Sequence, residues 1–180
     1  MVTDEHLAWM KEAGCFSIQI GIESGNNEIL KNVRKGFLIA EALEAAQKIQ
    51  NHGIELQAFF MVGFPQETEQ TLNDTLSAMK QLPGWLSYSI FTPYPGTEAF
   101  EFCREKGLIK DTFDVSLYNH QSPANCFCLN ISPRRFRTLV SQIERMVDKR
   151  NYPSLLRKIM SRQVFHRIRN KLIRGTKPGV

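Results

Sequence analysis

The residue best placed by its surroundings to do chemistry is Glu23. It closes Phe16-Ser-Ile-Gln-Ile-Gly-Ile-Glu23, where Ile18, Ile20 and Ile22 alternate with Ser17, Gln19, Gly21 and Glu23. A period of two is that of a β-strand, and in parallel α/β folds ligand sites form at the C-terminal ends of strands. A carboxylate there can accept hydrogen bonds from two ligand hydroxyls. It could equally bond Ser24 or a helix start at Asn26-Asn27, as buried polar groups do. Gly21-Ile-Glu-Ser-Gly25 is glycine-rich, but no Gly-Lys-Ser/Thr follows, so neither a phosphate loop nor a dinucleotide fingerprint is met. Gly63-Phe-Pro-Gln-Glu67 closes a second apolar run, and a glycine at that point lets a ligand approach the backbone. His120, Cys126 and Cys128 invite a metal, yet Cys-x-Cys is not a zinc-knuckle spacing and a fourth ligand is not evident. No Ser/His/Asp order and no His-Glu-x-x-His stands out.

These residues need a scaffold, and residues 1–110 read as alternating strands and helices. After the first strand, Leu38, Ala42, Leu43, Ala46 and Ile49 form a helical stripe over 38–51 that stops at His52-Gly53. Residues 54–63 are apolar on both faces, as expected for a parallel strand covered on one side by helices and packed on the other. Thr68 can cap a helix with stripe Leu72, Leu76 and Met79, ending at Pro83-Gly84. A third strand is expected over 86–92. Beyond Pro93-Tyr-Pro-Gly96, Thr97 can cap a short helix ended by Gly107. Strand–helix repeats near 35 residues imply right-handed crossovers and a parallel α/β sheet. A closed barrel needs about 250 residues, and a three-stranded sheet leaves two bare edges. Either the tail covers an edge, or the chain is a piece of something larger. Residues 111–132 carry no clear period and read as an irregular cover. Helices are expected over 134–149 and 153–174, separated by Tyr152-Pro153.

Composition narrows the classes. The chain has 180 residues, 42% hydrophobic and 23% charged, which excludes global disorder. No run of eighteen apolar residues suggests a spanning helix. An acidic N-terminus without a signal-like core, and four irregularly spaced cysteines, point to the cytoplasm. The net charge of +5 hides a split: residues 1–132 hold 9 Lys/Arg against 16 Asp/Glu, and residues 133–180 hold 14 against 2. The basic tail could meet nucleic acid, an anionic membrane or an acidic partner, although packing on its own acidic domain is simpler. The strands show no aromatic platform for stacking RNA bases.

The motifs together resemble the radical S-adenosylmethionine (SAM) superfamily. They are Ala13-Gly-Cys15, Ile20-Gly-Ile-Glu-Ser-Gly25, Leu30, Arg34-Lys-Gly36, Met61-Val-Gly-Phe-Pro-Gln-Glu-Thr68 and Pro93-Tyr-Pro-Gly-Thr97. More narrowly they resemble its cobalamin-binding branch, over about residues 1–110. The resemblance implies that the three strands are the last three of a six-stranded partial (β/α)6 barrel. It implies SAM contacts by Glu23 with neighbouring Ser24, by Lys35 near the cofactor carboxylate, and by Met61 and Gly63 against adenine, with Tyr94 near the end of the last strand. The complete enzyme would cleave SAM reductively at a [4Fe–4S] cluster, and the 5′-deoxyadenosyl radical would abstract hydrogen from a small-molecule substrate that the sequence does not identify. The chain departs from the family in lacking a Cys-x3-Cys-x2-Cys loop and a cobalamin domain, and Leu38 stands where a capping Thr or Ser is common. It therefore resembles a C-terminal barrel half whose partner is a missing N-terminal half, inactive alone and with no metal ligands of its own. A nucleic-acid partner is not expected, because tRNA-modifying members usually carry Gln where Glu23 stands. The alternative is a non-catalytic module that uses its basic helix on a membrane or an acidic partner.

Overall fold

The computed structural model describes residues 2–109, 120 and 122–152. The expected helix over 153–174 and residues 111–119 and 121 of the irregular cover lie outside the described residues. The elements run α1 (Asp4–Glu12), β1 (Ser17–Glu23), α2 (Asn27–Asn32), α3 (Ile39–Asn51), β2 (Glu55–Val62), α4 (Glu69–Gln81), β3 (Trp85–Ile90), α5 (Glu98–Glu105) and α6 (Pro133–Asn151). All three strands are parallel, in the order β1-β2-β3. This is the expected α/β architecture, compatible with half of a partial barrel.

Local chemistry accounts for the helix starts. Thr68 accepts from the amide of Thr71 at 3.2 Å, Thr97 from Phe100 at 3.1 Å, and Ser132 from Arg135 ahead of Pro133 at the first helical position. Leu38 caps α3 without a side-chain acceptor. The Glu41 carboxylate compensates by accepting from the Leu38 amide at 2.7 Å. The stripe expected for α3 is buried at Ala42, Ala46 and Ile49, whereas Leu38 is exposed. Helix α1 was not foreseen, and α2 only as a helix start at Asn26-Asn27.

One face of the sheet is dry. Ile22 of β1, Leu56, Ala58, Phe60 and Val62 of β2, and Leu86, Tyr88 and Ile90 of β3 are buried in one core. The helices cover them with Leu7 of α1, Ala46 and Ile49 of α3, Leu72 and Met79 of α4, and Phe136, Leu139, Val140, Ile143 and Val147 of α6. The α6 set follows helical periodicity, and each such side chain contributes about 1.5–3 kcal/mol on full burial. The opposite face departs from expectation. β2 was expected to be packed on both sides, but its burial alternates, and Phe59 is 37% exposed. Gln19, Gln57 and Phe59 stand on this second face, where Gln19 donates to Gln57 across the strands at 3.1 Å. The run looked apolar throughout because Phe59 and Met61 are apolar residues on a face that the described residues leave open.

The two edges also differ. At the outer edge of β3, Asn151 accepts from the Leu86 amide at 3.0 Å and donates to the Leu86 carbonyl at 2.7 Å, replacing a neighbouring strand's peptide group. His120 offers its carbonyl to the Ile90 amide at 2.7 Å. Arg150, beside Asn151, donates to the carbonyls of Lys80 and Leu82 at the end of α4, and Arg135 pairs with Glu69 at the start of α4 at 2.8 Å. Helix α6 is thus fastened along α4 from end to end. At the outer edge of β1, no strand pairs among the described residues. An open apolar groove of about 430 Å³ flanks it instead, lined by Val2, Met10, Ile18, Phe37, Ala45 and Ile49.

Replacing Asn151 by Ala leaves both Leu86 groups without that partner. The expected loss is about 1–2 kcal/mol, read as a lower urea midpoint at unchanged slope.

Candidate functional site

The end of β1 is irregular in a way that aims Glu23. Gly21 pairs with Phe59 and Glu23 with Phe60, so the register shifts by one residue between them. Such bulges re-aim side chains at strand ends. Glu23 has φ 70°, a left-handed conformation that costs a non-glycine residue about 1–2 kcal/mol. The result places its carboxylate over the bare backbone of Gly21, where a Cβ would lie 2.9 Å from Glu23 Oε1 and 3.4 Å from Lys35 Nζ. Gly21 is the residue that leaves room for the pair.

Lys35 arrives from the other side. Asn26 starts α2 by accepting from Glu28 and Ile29 at 3.0 and 3.3 Å, and its own amide donates to Asp74 at 2.8 Å. The helix ends at Arg34 with φ 56°, and the Lys35 amide returns to the Leu30 carbonyl at 3.0 Å. This turn brings Lys35 Nζ to 3.1 Å from Glu23 Oε1, with both side chains 26% exposed. The ammonium also lies 5.8 Å from the Phe37 ring centroid. Glu23 therefore bonds Lys35, and not Ser24 or the start of α2.

The other expected residues take separate positions. Met61 is half-buried on the same open face of the sheet, opposite Ser89 of β3. Ser24 is fully buried against α4, where its hydroxyl shares a 3.2 Å hydrogen bond with Thr75 and accepts from Asn26 at 3.1 Å. Gly25 lies alongside, and a Cβ there would come within 2.6 Å of the α4 backbone at Asp74 and Thr75. Gly63, with φ 96°, has its Cβ direction filled by the Phe136 ring at 2.9 Å, so α6 itself requires a glycine there. Tyr94 is 44% exposed and its hydroxyl meets His120 Nε2. The structure thus joins Glu23, Lys35 and Gly21, keeps Met61 on their face, and gives Ser24 and Gly63 partners inside the fold. Among the described residues no group of three or more His, Cys, Asp or Glu is placed to hold a metal, and all four cysteines are free. No helix among them is long and apolar enough to cross a membrane.

One residue of the second motif carried more than its sequence showed. Glu67 is fully buried, and Oε2 accepts from the amides of Gly63 and Phe64, tying the end of β2 into its turn. Oε1 has no hydrogen-bond partner. Burial pushes the carboxyl up to about 8, and the two amides only partly oppose this. The available signal was an acid four residues after a strand-ending glycine.

Comparison with known proteins follows the same residues. Residues 1–79 match the family model described as the Radical SAM superfamily. An uncharacterised methyltransferase of Pyrococcus horikoshii is 33% identical over 101 residues, 56% of this chain and 22% of that protein. An anaerobic magnesium-protoporphyrin IX monomethyl ester cyclase of Cereibacter sphaeroides is 32% identical over 120 residues, 66% and 19% respectively. A tRNA-2-methylthio-N(6)-dimethylallyladenosine synthase of Trichlorobacter lovleyi is 34% identical over 94 residues, 51% and 22%. The chain spans about a fifth of the length of these relatives. The radical SAM resemblance is borne out.

The folded Glu67 keeps its proton up to about pH 8, whereas the ordinary carboxyl releases it near 4.5. Between these values the folded state binds the extra proton, so stability is greatest below about 4.5 and falls as pH rises through 8. Glu67→Gln should flatten that part of the urea-midpoint profile, and an unchanged slope would refute the assignment.

Proposed function

We propose, on the premise that residues 1–79 are a radical SAM segment, that this chain supplies one wall of a SAM site, completed by an N-terminal barrel half docked along the free edge of β1. The observation that carries the proposal is the Glu23–Lys35 pair, held over Gly21 on the open face of the sheet by a bulge and two left-handed residues. Strain of this kind persists where the surrounding structure over-determines it, and it clusters at functional sites.

The residues suit the cofactor. Glu23 offers a carboxylate that can accept from the two ribose hydroxyls, and Lys35 offers a cation for the amino-acid carboxylate. Met61, on the same face, offers an apolar surface for adenine. Their pairing keeps both charges compensated while they stand partly buried. Bound to a reduced [4Fe–4S] cluster, SAM would supply radical chemistry, with cobalamin as a second cofactor in the narrower branch that the motifs resemble. The described residues do not furnish the cluster's ligands, so those belong to the proposed partner half. The 430 Å³ groove beside β1 suits its neighbouring strand and helix, which would also cover the open face. On this reading the chain alone is inactive, and the substrate is set by the parts it lacks.

Anaerobic treatment of the chain with iron, sulfide and reductant should yield no cluster absorbance and release no methionine from SAM. Either signal would overturn the split-site reading.

A second reading rests on α6, whose Arg134, Arg137, Arg145 and Lys149 are exposed while its apolar stripe is spent on the core. With the basic sequence beyond it, this surface would give peripheral contact with an anionic membrane. Sedimentation with phosphatidylserine vesicles should then fall steeply between low and physiological salt and survive Glu23→Ala. Salt-independent behaviour would remove this reading.

A further inference from the structure

Strand register arranges the open face of the sheet in rows. Gly21, Phe59 and Ser87 lie side by side across β1, β2 and β3, and Gln19, Gln57 and Trp85 form the next row towards the strand starts. The row on the other side holds Met61 beside Ser89. The interior of a closed (β/α) barrel is filled by branched aliphatic side chains, and none of these residues is one. Phe59 stands between a glycine and a serine. On the glycine side the Glu23–Lys35 pair comes over Gly21, and on the other side Ser87 is too short to cover a ring. Phe59 is 37% exposed and Trp85, at the diagonal position, 42%, and diagonal neighbours across strands stand about 7–8 Å apart, within reach of aromatic side chains. Trp85 meets Tyr152 edge-to-face with centroids 5.3 Å apart, whereas none of the ring contacts among the described residues involves Phe59.

The polar residues of these rows define an edge. Gln19 donates to Gln57 Oε1 at 3.1 Å, which leaves the Gln57 amide nitrogen as a donor and the Gln19 oxygen as an acceptor, one row below Phe59. The two rows contain no ionisable side chain, and a charged group brought against them would lose its hydration without a counter-charge. Two exposed aromatic rings offer flat apolar contact, which aromatic ligands meet by offset or edge-on stacking. The complementary ligand is therefore planar, conjugated and uncharged, with an acceptor and a donor side by side, as in a ring that contains a cis amide.

We propose that Phe59, with Trp85 and the Gln19–Gln57 pair, forms a stacking subsite for an uncharged, planar heteroaromatic ring with an amide-type edge. The subsite lies two residues, about 7 Å, from Met61 towards the strand starts, so it is continuous with the SAM wall and does not overlap the surface assigned to adenine. The proposal rests on the SAM reading only in making this ring the part of the substrate that is held beneath the cofactor. The stacking contact itself needs nothing beyond this chain.

The test is an NMR titration of the full, isotope-labelled chain with carbostyril, a flat bicyclic lactam, followed at the side-chain amides of Gln19 and Gln57. Both signals should shift saturably. Phe59→Leu should weaken binding at least about fivefold, the scale of a lost stacking contact, and Phe59→Tyr should retain it. The saturated ring δ-valerolactam, which has the same amide edge and no flat conjugated face, should bind at least about fivefold more weakly than carbostyril. That comparison needs no variant, so it decides the matter even if Phe59→Leu does not fold. Equal affinity for the two lactams, unchanged affinity in a folded Phe59→Leu, or no shift of either glutamine up to the solubility of carbostyril would each overturn the proposal. Because the chain alone is expected not to bind SAM, the titration reads the subsite separately from the SAM reading. Carbostyril binding here with no SAM binding by the assembled halves would overturn only the latter.

Discussion

A parallel sheet cannot leave both faces to water, because crossover connections carry helices and the strands are built to be covered. Here three strands must be stabilised, and the described residues cover one face and one edge. The apolar stripe of α6 closes the dry face with Phe136, Leu139, Val140, Ile143 and Val147. Its final turn, through Asn151, satisfies the backbone of β3 as a fourth strand would. The residues past the third strand therefore end the sheet on that side. Among the described residues, what remains open is the free edge of β1 and the face carrying Gln19, Glu23, Gln57 and Phe59.

That asymmetry orders the rest. Gly63 is a glycine because the Phe136 ring occupies its side-chain direction, so the helix closing the core also fixes the turn after β2. Glu67 and the Leu129–Pro65 contact fasten the same turn from within. Ser24, Gly25 and Thr75 fasten the turn after β1 to α4. With both turns rigid, the bulge and the left-handed Glu23 can be held against their cost, and Lys35 is delivered to the carboxylate by the end of α2. A rigid scaffold carrying a strained polar pair on an open face is what a ligand site needs from its supporting elements.

Much of this was legible in the residues. Strict alternation located β1, a helical stripe with a Thr68 cap located α4, a Thr97 cap with a closing Gly107 located α5, and the helix expected over 134–149 is α6. Glu23 and Lys35 were linked by family motifs, and the structure joins them directly. Other features depend on distant parts of the chain and were not legible. The start of α2 at Asn26-Asn27 was legible, but its six-residue length and the bond of its Asn26 side chain to Asp74 across the fold were not. Phe59 and Met61 made β2 look buried on both faces, because an apolar residue does not declare whether its cover is in the same chain. Asn151 gave no local hint that it would act as a strand, since its partner at Leu86 is 65 residues away.

We propose that the open face bearing Glu23 and Lys35 becomes a SAM site when a second barrel half covers it. The most direct measurement is calorimetric titration of SAM into this chain co-purified with a barrel half carrying a Cys-x3-Cys-x2-Cys loop. The pair should bind SAM saturably and the chain alone not at all, with Glu23→Ala weakening the pair at least about tenfold through the lost charge-assisted hydrogen bonds. Equal affinity in the variant, or equally tight binding by the chain alone, would contradict it.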